Sequence, residues 1–156
     1  MARRYPEAIE QLNKIVAMDP RFYYARSTFG LALQCNGQLP EAIAQYKQAA
    51  ELTDDPLVLA WLAQGYAKAG QRDEALKLLA QMEELATKRY VGPWAFAIVH
   101  LALGENGKAM DNLERAYLER SDPYITFIKV GPLFDPLRGD PRFQALLAKA
   151  FSSGDK

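Results

Sequence analysis

A chain of 156 residues has the length of one ordinary domain and can bury a sizeable core. Its 19 basic and 19 acidic residues cancel, which leaves no overall field to draw it onto nucleic acid or an anionic membrane. With Cys35 as the lone cysteine, an internal disulfide and a four-cysteine zinc site are both excluded.

The chain opens with Arg3 and Arg4 leading into Pro6 and Glu7, so no signal peptide is expected. The stretch PEAIEQL at 6–12 then returns as PEAIAQY at 40–46. Ala8, Ala42 and Ala75 each follow a Pro-Glu or Asp-Glu pair and Ala109 follows Gly107-Lys108, at separations of 34, 33 and 34. Gly37, Gly70 and Gly104 each lie five residues before the alanine of their unit. The shortened spacing is therefore placed in the connection around Asp54, Asp55 and Pro56. A fixed period of this length marks a repeat architecture.

Segment 6–20 carries Ala8, Leu12, Ile15 and Pro20, only the second half of a unit. Unit 22–54 pairs Phe22, Phe29 and Leu33 with Ile43, Tyr46 and Ala50; unit 56–88 pairs Leu59, Leu62 and Tyr66 with Leu76, Leu79 and Met82. Unit 90–121 pairs Phe96, Val99 and His100 with Met110, Leu113 and Tyr117. Spacings of three and four put each set on one helical stripe. Asp19-Pro20, Asp55-Pro56, Asp122-Pro123 and Asp140-Pro141 read as capping carboxylates ahead of a first-turn proline, and the three glycines suit left-handed helix ends. Helices of about 13 to 16 residues are expected, with the second helix of the third pair running through Leu85 and Thr87 to Gly92-Pro93. No segment reads as strand. The longest apolar run, Val91 to Leu103, contains Pro93 and His100 and is too short for ~30 Å of hydrocarbon.

After Ser121 the period stops. The remainder, 122–152, predicts a helix from Pro123 to Val130, a turn at Gly131-Pro132, a tight corner at Phe134-Asp135-Pro136-Leu137, and a last helix from Pro141 to about Phe151. The last helix has Phe143, Leu146, Leu147, Ala150 and Phe151 on one face, and Arg142, Gln144 and Lys149 off it. Single helices of this size are marginal in water, so neighbouring hairpins must stack to hide their stripes.

Residues 6 to 121 resemble the tetratricopeptide repeat. The second unit offers Phe29-Gly30, Leu33, Ala42, Tyr46 and Ala49; the third Leu62-Ala63, Tyr66, Ala75, Leu79 and Met82; the fourth Phe96-Ala97, His100, Ala109, Leu113 and Ala116. Gly30 faces Ala42, Ala63 faces Ala75 and Ala97 faces Ala109, so the helices of each pair approach closely. The family's first-helix tryptophan is absent from its usual place, with Trp61 and Trp94 one or two positions later. The resemblance implies an all-α fold, a right-handed superhelix of antiparallel helix pairs with C-terminal capping helices, in one domain spanning 1–156. Under it the chain is a piece of a longer protein whose preceding repeats are missing. The stretch FDPLRGDPRFQALL is similar to the tail that closes such modules in bacterial signalling proteins, behind DNA-binding, nucleotide cyclase or protein kinase domains.

Chemistry is sparse along the chain. His100 stands where the family has a core aromatic, with no serine, cysteine and acid arrangement around it. Cys35 ends a first helix and reads as a small hydrophobe or a surface thiol. GENGK at 104–108 lacks the spacing and the preceding strand of a phosphate loop. Arg3-Arg4, Lys88-Arg89 and Arg138 with Arg142 are separate clusters rather than a basic stripe. The expectation is no enzyme, no cofactor, no metal, no nucleic acid, no membrane, and a cytoplasmic location.

What remains is the inner face of the first helices. The resemblance places Tyr24, Ser27, Leu31 and Gln34, then Leu57, Ala60, Gln64 and Ala67, then Val91, Trp94, Ile98 and Leu101 on that face. Chaperone-docking members clamp a peptide's terminal carboxylate with lysine, arginine and asparagine there; these residues are apolar or uncharged, which favours a protein or peptide partner with apolar side chains and makes Tyr24 and Trp94 candidate anchors. Competing occupants are the C-terminal helices folding back and a second copy in a homodimer. An alternative role is self-association or regulation of a fused domain.

Overall fold

The computed structural model describes residues 5–120 and 127–152. Within them the chain forms eight α-helices: α1 (Tyr5–Met18), α2 (Tyr23–Cys35), α3 (Leu39–Ala50), α4 (Pro56–Lys68), α5 (Arg72–Lys88), α6 (Pro93–Ala102), α7 (Asn106–Glu119) and α8 (Pro141–Phe151). A 3-10 helix, Pro132–Leu137, precedes α8. Among the described residues there is no strand, and no helix is long and apolar enough to cross a membrane.

One turn, made three times, sets the architecture. Gly37, Gly70 and Gly104 have φ of 83°, 77° and 78°, a backbone region that a Cβ makes costly. Their N–H groups donate to the carbonyls of Gln34, Ala67 and Leu101, each at 3.1 Å. The next N–H in each turn, on Gln38, Gln71 and Glu105, donates to the carbonyl of Leu33, Tyr66 and His100 at 2.9 Å. This double bond pattern satisfies the orphan carbonyls of the ending helix. The same Gln38, Gln71 and Glu105 carbonyls accept the N–H of Ala42, Ala75 and Ala109, starting the following helix. Sequence spacing thus becomes a sharp reversal, and α2 with α3, α4 with α5 and α6 with α7 pack as adjacent pairs.

Small residues let the paired helices close up. Ala42, Ala63, Ala75 and Ala109 have no exposed surface, and Ala97 is 1 % exposed. At Gly30 a Cβ would stand 2.6 Å from the Tyr46 ring and 3.1 Å from the Ala42 carbonyl. Pairs then stack: α1 packs on α2, α3 on α4, and α4 on α6. The buried apolar residues fall into two clusters. A small one joins Val16, Ala25, Phe29, Leu33, Ala42, Tyr46 and Leu62; a larger one runs from Leu59 through α6 and α7 to Phe143 and Leu146.

Several local expectations change. Asp55 and Asp140 cap as the sequence predicts, accepting the N–H of Leu57 at 2.9 Å and of Arg142 at 2.8 Å, each ahead of a first-turn proline. Asp19 does not cap α2: it accepts the N–H of Arg21, and α2 begins only at Tyr23. Arg26 holds that corner, its Nε donating to the Pro20 carbonyl at 2.6 Å and its Nη1 reaching Gln45 and Gln48 on α3. Phe22, assigned to a buried stripe, is 45 % exposed ahead of the helix. α5 does run on to Lys88, and the connection that follows delays α6 to Pro93. Of the helix expected at 123–130, and the cap at Asp122, the part up to 126 lies outside the described residues; Phe127 to Lys129 form a 3-10 turn.

Candidate interaction face

The first-helix stripe is open at one end and closed at the other. Tyr24, in the first turn of α2, is 55 % exposed, and the Phe22 ring lies 6.2 Å from it. Leu31 and Gln34 on α2, and Leu57 and Ala67 on α4, are half-buried. Ser27, Ala60 and Gln64 are buried. Ser27 Oγ turns back to donate to the Tyr24 carbonyl at 3.0 Å, so it offers nothing outward. Val91, Trp94, Ile98 and Leu101 are all buried. Val91 sits in the connection before α6 rather than on the helix, because Gly92 and Pro93 set the helix start.

The closed end has an identifiable cover. The Phe134 ring stands 5.5 Å from Trp94 and stacks at 6.3 Å on Phe143 of α8. Phe134 and Phe143 are buried at 2 % and 0 %, in one cluster with Leu137, Leu146 and Trp94. Arg142 fastens α8 to α7, its Nη2 lying 2.7 Å from Asp111 and 2.8 Å from Glu114. The guanidinium's hydrogen bond in turn holds the Glu114 carboxyl below its ordinary range. Trp94 is therefore a core residue in this structure, with too little exposed surface for the anchor role expected of it. The sequence did contain the cover, as the Phe134 corner and the Phe143 face. Fold-back of the C-terminal helices was one of the occupants expected for this stripe; that Phe134 would be the ring set against Trp94 was not legible.

Gln64 was read only as a stripe residue, and its setting is unusual. It is 1 % exposed, and its Oε1 has no hydrogen-bond partner among the described residues. An amide oxygen buried this way costs about 1–3 kcal/mol. Tyr46, by contrast, is satisfied: its hydroxyl donates to Gln34 Oε1 at 3.4 Å, and burial pushes the phenol far up from its ordinary value, with Cys35 adding to the shift.

The remaining reactive groups lie apart. His100 is 7 % exposed and pairs through Nδ1 with Glu105 Oε2 at 2.7 Å, which ties the end of α6 to the residue that starts α7. That bond is the main cause of the lowered Glu105 pKa, with Lys108 adding to it. Cys35 is exposed. Among the described residues no group of three or more His, Cys, Asp or Glu is arranged to hold a metal ion. One cleft of about 300 Å³ lies between α7 and α8, lined by Glu114, Tyr117 and Arg142, and another of about 310 Å³ is lined by Pro40, Ile43 and Tyr66; neither of these takes in the stripe. No protein-family model, no curated protein and no solved structure matches the chain.

Proposed function

We propose that the chain is a non-enzymatic scaffold of tetratricopeptide type that recognises a protein segment at the open end of its first-helix stripe. The observation that carries this reading is the exposure gradient: Tyr24 stands 55 % exposed beside half-buried Leu31, Gln34 and Leu57, while Trp94 at the far end is covered by the chain itself. A rigid, partly apolar surface of this kind suits an extended or helical segment offering an aromatic or aliphatic side chain. No lysine or arginine stands on the stripe, so a terminal-carboxylate clamp does not fit it. The setting we infer is the cytoplasm, within a larger bacterial signalling or regulatory protein.

Selection of a displayed peptide library on the full chain tests the reading. Enriched peptides are expected to carry an apolar anchor and to bind Tyr24→Ala and Leu31→Glu at least about tenfold more weakly, equivalent to ~1.4 kcal/mol. Equal binding by both variants would refute it. A second reading, self-association or regulation of a fused domain, is favoured by the occupied Trp94 end. Light scattering separates the two: a dimer that peptides leave unchanged supports the second.

A further inference from the structure

The sequence holds four asparagines, and two of them precede a glycine: Asn36-Gly37 and Asn106-Gly107. A glycine in that place has no Cβ to screen its backbone nitrogen from the asparagine side chain, so the two can close into a ring. Both pairs are exposed, but the fold holds them differently. Asn36 ends α2 with its N–H donated to the carbonyls of Ala32 and Leu33 at 3.0 and 3.1 Å and its Nδ2 to Gln38 Oε1 at 2.9 Å. The Gly37 N–H is itself donated to the Gln34 carbonyl at 3.1 Å. Asn106 and Gly107 instead open α7, where the N–H groups of a first turn have no helical carbonyl behind them. Glu105, just before them, makes no side-chain cap; its carboxylate is held by His100 and Lys108. The corresponding first turns carry Glu41 in α3 and Asp73 with Glu74 in α5, whereas α7 has no acid there and places Lys108 against the helix dipole. Gly107 is in addition the poorest helix former after proline.

We propose that Asn106-Gly107 is a site of spontaneous covalent modification, where Asn106 becomes aspartate or isoaspartate through a succinimide, while the folded turn protects Asn36-Gly37. The Gly107 nitrogen gives its proton to solvent and attacks Cγ of Asn106. A new N–Cγ bond closes a five-membered ring and the Cγ–Nδ2 bond breaks, Nδ2 taking a proton from solvent and leaving as ammonia. Water then opens the imide. Cleavage of the ring nitrogen from Cγ leaves an aspartate, and cleavage from the main-chain carbonyl leaves an isoaspartate, whose backbone is longer by one carbon. One water is consumed and one ammonia released, with no oxidant or reductant. Ring closure requires Asn106 to leave its helical ψ, so it proceeds while the first turn of α7 is open. Helix ends open at little cost, and this one lacks the acid that steadies its counterparts. At Asn36 the same rotation must break the bonds from Gly37 to Gln34 and from Gln38 to Leu33 that reverse the chain between α2 and α3. The aspartate product supplies the first-turn carboxylate that α7 lacks, and so strengthens that turn.

The full chain, kept folded at neutral pH and body temperature, and the same chain in concentrated urea are followed over weeks by peptide-mapping mass spectrometry. The readout is the mass gained when an amide becomes an acid, with the isoaspartate form separated by chromatography. In the folded chain conversion at position 106 should outpace that at position 36 by at least about tenfold, and in urea the two rates should come within about threefold of each other. Gly107→Ala, whose added Cβ meets nothing within 4 Å, should slow the folded-state reaction several-fold without lowering the melting temperature. Asn106→Gln should abolish the product there and leave position 36 unchanged. Asn106→Asp copies the aspartate product and should melt about 1–3 °C higher than the parent. Equal rates in the folded chain, faster conversion at position 36, or no conversion at position 106 over a time in which the chain in urea converts would each overturn the proposal. A tenfold preference that survives in urea would overturn it too, since neighbouring residues rather than the fold would then set the rates. An Asn106→Asp variant that melts lower would overturn the gain assigned to the product.

Discussion

The two ends of the stack are built from the same period but finished differently. At the C-terminal end, Phe134, Leu137, Phe143 and Leu146 close over α6, and Trp94 falls to 4 % exposure. Around α1 and the start of α2, among the described residues, Met18 is 87 % exposed, Tyr24 55 %, Phe22 45 % and Ile15 42 %. The difference shows that the repeat fixes each helix's orientation, whereas the neighbour beyond it decides whether a stripe becomes core or surface.

The sharpest break of this comparison is an aromatic truncation at each end. Phe143→Ala removes a ring with no exposed surface and is expected to cost about 3–5 kcal/mol. Phe134→Ala should cost about as much and also expose Trp94. Phe22→Ala at the open end should stay within about 0.5 kcal/mol. Urea unfolding followed by circular dichroism measures all three. Comparable losses at the two ends would show that the open end is not open.

Close approach within a pair gives the next largest effect. Gly30→Ala puts a methyl 2.6 Å from the Tyr46 ring, which is itself fully buried. Overpacking of this kind costs about 1–3 kcal/mol, against about 1 kcal/mol that alanine returns as the better helix former. A net loss of roughly 1 kcal/mol is expected, and Gly30→Leu should be worse. Ala8→Leu, at the corresponding alanine of α1, which is exposed, should leave stability unchanged. A parallel pair of melting curves decides.

How much of this was readable beforehand follows from the range of each cause. The turns were legible because Gly37, Gly70 and Gly104 act through their own backbone, and the bond pattern spans only six residues. The close approach of Gly30 to Ala42 was legible because a fixed period predicts which faces meet. The state of the stripe was not, since the cover of Trp94 comes from Phe134, 40 residues along the chain and outside the period. Asp19 failed as a cap for a local reason: Arg26 binds the Pro20 carbonyl and keeps the corner as a turn, and α2 starts later. Val91 was assigned to a helix that Gly92-Pro93 does not allow to begin so early.

Gln64 sharpens the comparison from the middle of the stripe. Gln64→Met keeps the volume and removes the unpartnered oxygen, so stability should rise by about 1–2 kcal/mol. If the amide serves a ligand reaching in from the Tyr24 end, the same variant should bind selected peptides more weakly while melting higher. A variant that melts lower would show that the oxygen is satisfied in solution.

The smallest expected effect concerns the turn into α7, at the closed end. Gln38 and Gln71 occupy the position before α3 and α5, while α7 has Glu105 there, bonded to His100. Its lowered pKa means that the folded chain holds a charged carboxylate which the unfolded chain binds protons to more readily. By linkage its stabilisation is complete above the ordinary glutamate value and disappears as pH falls through the lower folded-state value. Glu105→Gln copies the residue of the other two turns and should remove that acid sensitivity while leaving the fold unchanged. Melting temperatures between pH 3 and pH 7 test this: the gap between parent and variant should be widest near neutrality and narrow toward acid. A gap that stays constant across the range would mean that the contact acts through shape rather than charge, and the closed end would then match the other turns in kind.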